Sequence, residues 1–201
     1  MRRPQGLLVA LACAPLLLAG CASGPPQALR NSDLMRELFY PPTFPRGDLG
    51  PDAPGGSFDH AAYAAVLQQA VRPDGTVDYG IVKRLEPQLD GYLVAVGNVP
   101  LESLSRHERL ALLINAYNAF TMKMIVENPG VRSPADVPAA GGWTEPTWVI
   151  DLGASSIERL EHDFIRRPFR DARVHFALVR GAMGSPPLRA APYTGTDLPR
   201  Q

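Results

Sequence analysis

The chain has 201 residues, 45% hydrophobic and 7% aromatic, with 20 Lys and Arg against 20 Asp and Glu. That length suits one ordinary domain, and its 21 prolines and 18 glycines are concentrated rather than spread, which argues against disorder throughout. Without the first twenty residues, which hold Arg2, Arg3 and no acid, 18 basic residues face 20 acidic ones; a surface without basic excess argues against nucleic-acid binding.

In chain order, Arg2-Arg3 precede an apolar run from Leu7 to Ala19. A membrane span needs ~20 apolar residues, so this run is too short to be one. A basic head, a short apolar centre and small residues after it predict a secretory signal peptide over residues 1–20. Leu18-Ala19-Gly20-Cys21 resembles the bacterial lipobox. The resemblance implies that Cys21 is acylated and becomes the mature amino terminus. Each buried methylene contributes ~0.8 kcal/mol and two or more chains anchor stably, so the lipid bilayer is the expected partner through Cys21. The protein is thus expected in the cell envelope. With Ala22 rather than Asp after the cysteine, it is expected at the outer membrane, facing the periplasm, if the host is Gram-negative. Cys13 leaves with the leader and Cys21 carries lipid, which leaves the mature domain without a disulfide, thiolate ligand or cysteine nucleophile.

Residues 21–56 read as the lipidated cysteine and a tether: nine of the sixteen residues from Pro41 to Gly56 are Pro or Gly, a partly stiff spacer. Within it, Asn31–Phe39 fits a short helical turn or a docking segment. The folded domain is expected over 57–201. Ser57 or Asp59 can cap a first helix through Ala61, Ala64 and Leu67, which ends before the turn signal Arg72-Pro73-Asp74-Gly75. Thr76–Tyr79 is extended. A second helix runs to about Val96 with a kink or late start at Pro87. Ser105-Arg106-His107-Glu108 forms a capping box for a third helix that reaches Glu127; its apolar residues on every side mark it as central and buried. Thr147–Leu152 reads as a strand ending at Gly153. Ser155-Ser156-Ile157-Glu158 reads as a further capping box for a helix with Ile157, Leu160, Glu161, Phe164 and Ile165 on one side. Arg173–Val179 reads as a strand terminated by Gly181. The fold class is α+β: a helix-rich single domain with a small sheet.

Asn115 and Asn118 share a face of the central helix. Either they tie loops to the core or they line a polar pocket, because an unpartnered buried amide costs ~1–3 kcal/mol. Read as a strand, Asp171, Arg173 and His175 alternate onto one face, as a structural ion pair beside a histidine or as the wall of a site. A triad with His175 needs a carboxylate from elsewhere, and Glu158 and Glu161 are the candidates. Glu158 and His162 stand within pairing reach on one helix. Ser185 is the one small hydroxyl near that strand's end, but no G-x-S-x-G surrounds it and Pro186 follows. His60, His107, His162 and His175 are too widely spaced for a metal motif, and no cofactor is expected.

Val77-Asp78-Tyr79, Ile114-Asn115-Ala116-Tyr117-Asn118-Ala119, Glu161-His162 and the stretch from Asp171 to Arg189 together resemble the family called domain of unknown function 547, over roughly Asp59 to Thr196. The resemblance supplies a family and not an activity. It implies cysteines in relatives where this chain has Arg180 and Ser185, and a further helix where this chain stops at Gln201, as in a shortened copy. The expectation is a lipid-anchored envelope protein whose domain binds a protein or small molecule, of unknown identity, without covalent catalysis. Its pocket residues are Asn115, Asn118, His162, Asp171 and Arg173. The alternative is a hydrolase using His175, Ser185 and polar residues of the buried helix.

Overall fold

The computed structural model describes residues 54–137, 142–151 and 153–201. The leader, Cys21, the Asn31–Phe39 segment and the tether up to residue 53 lie outside the described residues.

Asp59 accepts the Ala61 N–H (2.8 Å) and starts α1, Ala61–Ala70. The chain turns at Gly75, which sits at φ +81°, where a Cβ would overlap Pro187. Val77 then bridges back to Val71, and Asp78 caps α2, Tyr79–Arg84, by accepting the Ile81 N–H at 3.2 Å. Leu85 ends α2, and Pro87 opens α3, Glu86–Asn98, so the expected kink is a break between two helices. Tyr63 on α1 stacks on Tyr92 of α3 with ring centroids 4.9 Å apart.

Helix α4, Arg106–Glu127, is the centre of the molecule: 18 of its 22 residues are buried. Helices α2 and α3 and the helical segment after residue 157 pack around it, as a helix apolar on all sides requires. Ser105 caps it by accepting the Glu108 N–H (3.2 Å). The capping box is only half made, because the Glu108 carboxylate turns away to Phe58 and Gly195 (3.3 and 2.7 Å).

Two further expectations are corrected by the hairpin. Strand β1 covers only Trp148–Ile150 and pairs antiparallel with a second strand, β2, Gly153–Ser155. Asp151, at φ +49°, turns the chain, and its carboxylate accepts the Leu101 N–H at 3.0 Å. The sequence signal for one strand thus belongs to a two-stranded sheet, with Trp148 stacked on Phe120 of α4 (4.9 Å). Ser156, not Ser155, caps the next helix by accepting the Arg159 N–H (3.1 Å).

That helix runs as α5, Ile157–Arg159, a π-helical segment, Leu160–Arg166, and α6, Arg167–Phe169. Its buried side is the expected one: Ile157, Leu160, Glu161, Phe164 and Ile165.

The expected strand from Arg173 to Val179 is not one. Val174–Ala177 form a helical turn, α7. Arg170 at φ +51° reverses the chain, and Asp171 accepts the Arg173 N–H (2.9 Å). The amides of Val174, His175, Phe176 and Leu178 then bond carbonyls three or four residues back. Val, His and Phe suit a strand, but a strand needs a neighbour. Among the described residues the one sheet is the 148–155 hairpin, so the backbone is satisfied locally. The chain becomes extended at Leu178, and the flanking Ala177 carbonyl and Val179 N–H are met by a side chain, Asn118.

Candidate binding cleft

Asn118 donates to the Ala177 carbonyl (3.0 Å) and accepts the Val179 N–H (2.9 Å). Its amide stands where an adjacent strand would stand. One turn earlier, Asn115 does the same for the other incoming segment: it donates to the Tyr193 carbonyl at 2.8 Å and accepts the Tyr193 N–H at 2.9 Å. Both amides are 1–2% exposed and fully used. Of the two readings of this pair, the structure gives the one that ties loops to the core. A primary amide is the one side chain that presents a donor and an acceptor in the geometry of a peptide.

These clamps hold the two walls of a cleft of about 240 Å³. Leu110 and Ile114 of α4 line it from one side, Asp171, Arg173, Val174, Phe176 and Ala177 from a second, and Tyr193, Leu198 and Gln201 from a third. Arg173 grips Asp171 through two nitrogens (Nε–Oδ1 3.0 Å, Nη2–Oδ2 2.6 Å) and reaches across to the Pro199 carbonyl at 3.4 Å. The guanidinium hydrogen bonds, with the Arg173 amide, hold the Asp171 carboxyl below its usual pKa. Phe176 stands 76% exposed beside this pair. The cleft is amphipathic: aliphatic and aromatic inside, with one self-neutralised ion pair at the edge.

Asp171 and Arg173 therefore line a common cavity, whereas Asn115 and Asn118 do not line it and instead bond Tyr193 and Ala177, which do. His175 is exposed on α7 and is not among the lining residues. Ser185 sits in a separate turn, where its hydroxyl accepts the Ala182 N–H at 3.2 Å. His162 is half-buried on the π-helical segment. Among the described residues, no three His, Cys, Asp or Glu side chains group to hold a metal ion.

Two buried polar clusters escaped the sequence reading. In the first, His60 (6% exposed) lies between the Tyr92 hydroxyl (3.0 Å), the Asn115 amide (3.4 Å) and the Glu108 carboxylate (3.6 Å). Burial pushes the His60 pKa below 6.5 despite the opposing pull of Glu108. In the sequence Glu108 fits a capping box with Ser105, a local pattern that carries no signal of its long-range role. In the second, Glu161 (1% exposed) accepts hydrogen bonds from Tyr117 (3.0 Å) and Arg180 (2.8 and 3.0 Å) and pairs with Arg166 at 2.5 Å. The triad role entertained for Glu161 gives way to an ion-pair network with no histidine in it.

A family model described as a protein of unknown function, DUF547, matches residues 101–201. The chain belongs to this family. No curated protein and no solved structure matches it. Every residue lining the cleft lies inside the DUF547 match, as do both asparagine clamps and the Glu161 cluster, whereas α1 to α3 and His60 precede it. Arg180 and Ser185, where the resemblance implies cysteines in relatives of the DUF547 family, lie on opposite sides of the turn at Gly181–Gly184.

Proposed function

We propose that this DUF547 protein is a lipid-anchored component of the bacterial cell envelope, held by acylated Cys21, whose domain binds a partner or ligand in the 240 Å³ cleft without covalent catalysis. In a Gram-negative host the anchor belongs to the outer membrane and the domain to the periplasm. The carrying observation is the exposed Phe176 beside a cleft whose charges are already paired. A solvent-facing aromatic beside an aliphatic lining suits recognition. Three groups that could have done acid–base or nucleophilic work are engaged: Asp171 with Arg173, Glu161 with two arginines and a tyrosine, and Ser185 within its own turn, while His175 stands exposed outside the cleft.

Mass spectrometry of the intact protein from membranes tests the anchor; an unmodified residue 21 would remove it. Cross-linking in intact cells tests the cleft. The wild-type chain is expected to give a discrete adduct that Phe176→Ser loses at unchanged protein level. Turnover of a peptide, ester or glycan substrate by the purified protein, abolished by His175→Ala, would overturn this reading in favour of the hydrolase.

A further inference from the structure

Glu161 is a carboxylate with about four acceptor positions, and all of them are taken. Oε1 faces Arg166 (2.5 Å) and Arg180 (3.0 Å); Oε2 faces Arg180 (2.8 Å) and the Tyr117 hydroxyl (3.0 Å). The π-helical segment makes this possible. Its hydrogen bonds close from i to i+5, so residues five apart, Glu161 and Arg166, lie one above the other rather than diverging as on an α-helix.

The two guanidiniums are far from satisfied. Among the described residues, each turns its Nη2 to Glu161, and Arg180 also interacts with the Tyr117 hydroxyl. The Nε of Arg166 is buried without a partner. Two positive charges face one negative charge, and the neighbouring acid, Asp163, is committed to Arg167 (2.9 Å). Arg180 and Arg166 are 51% and 32% exposed, so the guanidinium of Arg180 and the outer part of that of Arg166, though not its buried Nε, can be reached from solvent. Arg180 also lies over the half-buried indole of Trp143, 5.7 Å from the ring centroid. Residues 159–201 carry eight arginines and four acids, so the surrounding field is positive as well.

We infer that Arg166 and Arg180, propped by Glu161 beside Trp143, form a binding site for an oxyanion group, a carboxylate or a phosphate, distinct from the cleft. Arginine is suited to this because its planar fork matches both groups and stays charged. Glu161 orients the forks and lowers the site's net charge to one, so a singly or doubly charged head group completes it.

The test uses the full chain in detergent, titrated with sodium phosphate, sodium acetate and sodium chloride at matched ionic strength. Tryptophan emission and the thermal midpoint are both read. A saturable change with phosphate or acetate, on the order of millimolar, and absent with chloride, is expected. Which of the two salts saturates identifies the head group. Arg180→Ala is expected to weaken it by about tenfold or more, and Arg180→Lys to restore part of it. Trp143→Phe removes the tryptophan beside Arg180 and leaves Trp148, so the anion-dependent change in emission should be lost while the rise in midpoint must be kept. The inference is overturned if chloride acts equally, if nothing saturates, or if Arg180→Ala binds as wild type does. Should Arg180→Ala not fold, Arg166→Gln takes its place under the same criterion.

Discussion

Asn118 and Asn115 each replace a peptide neighbour for a segment that arrives from about sixty and eighty residues away. Removing one amide strands a buried N–H and a buried C=O together. At ~1–3 kcal/mol for each stranded group, Asn118→Ala is expected to lower the unfolding free energy by roughly 2–5 kcal/mol, and Asn118→Asp, which keeps the acceptor but loses the donor, to fall between. Urea denaturation of the two variants and wild type checks this. The pair was visible in the sequence as two polar residues on one face of an apolar helix, but their targets were not, because sequence spacing says nothing about which loop returns to a given face. His60 was legible only as a histidine. It is buried and burial lowers its pKa, so the folded state resists the protonation that the unfolded chain undergoes near pH ~6.5. The unfolded state then binds more protons, and stability falls as pH drops below that value. His60→Gln should flatten the thermal midpoint between about pH 7 and 5 relative to wild type. Identical slopes for the two proteins would remove the role.

Among the elements, α4 was readable almost to the residue, because an N-cap serine, unbroken apolar content and an Asn-Pro-Gly stop all agree. The strand expected at 173–179 failed for a physical reason. Alternation of Val, Phe and Leu with polar residues is compatible with a strand, but among the described residues no second strand stands beside it, and Asp171 offers the backbone a turn instead. The π-helical segment had no signature at all, since its extra residue is accommodated by packing. The split between Ser105 and Glu108 gives a measurable contrast. Ser105→Ala removes an end cap and is expected to cost ~1 kcal/mol. Glu108→Ala leaves the buried Gly195 amide and the Phe58 amide without an acceptor and is expected to cost more, roughly 2–4 kcal/mol. Equal losses in denaturant midpoints would mean that Glu108 serves only its own helix.

At the scale of the molecule, a helix-rich fold with a small sheet follows from the sequence, and the single-layer wrapping around α4 follows from that helix having no polar face. The cleft was not foreseeable as a cavity. It exists because two loops are drawn against the same stretch of α4, and only the loop containing Asp171 and Arg173 had been singled out. A Cβ at position 195 would strike the Glu108 carboxylate, so Gly195→Ala should loosen the second wall while leaving α1 to α4 intact. Faster proteolysis after Tyr193 at an unchanged far-ultraviolet spectrum is the expected readout.

The bond from Gly195 to Glu108 spans 87 positions of chain, and Phe58 is fastened to the same carboxylate. One buried acid thus buttons the first and last parts of the domain together. Closing so long a loop is entropically late; by the same reasoning the seam is the first to part under stress. Amide hydrogens of Tyr193 and Gly195 should therefore exchange in a sub-global opening well before those of α4, and a ligand of the kind proposed for the cleft should slow them.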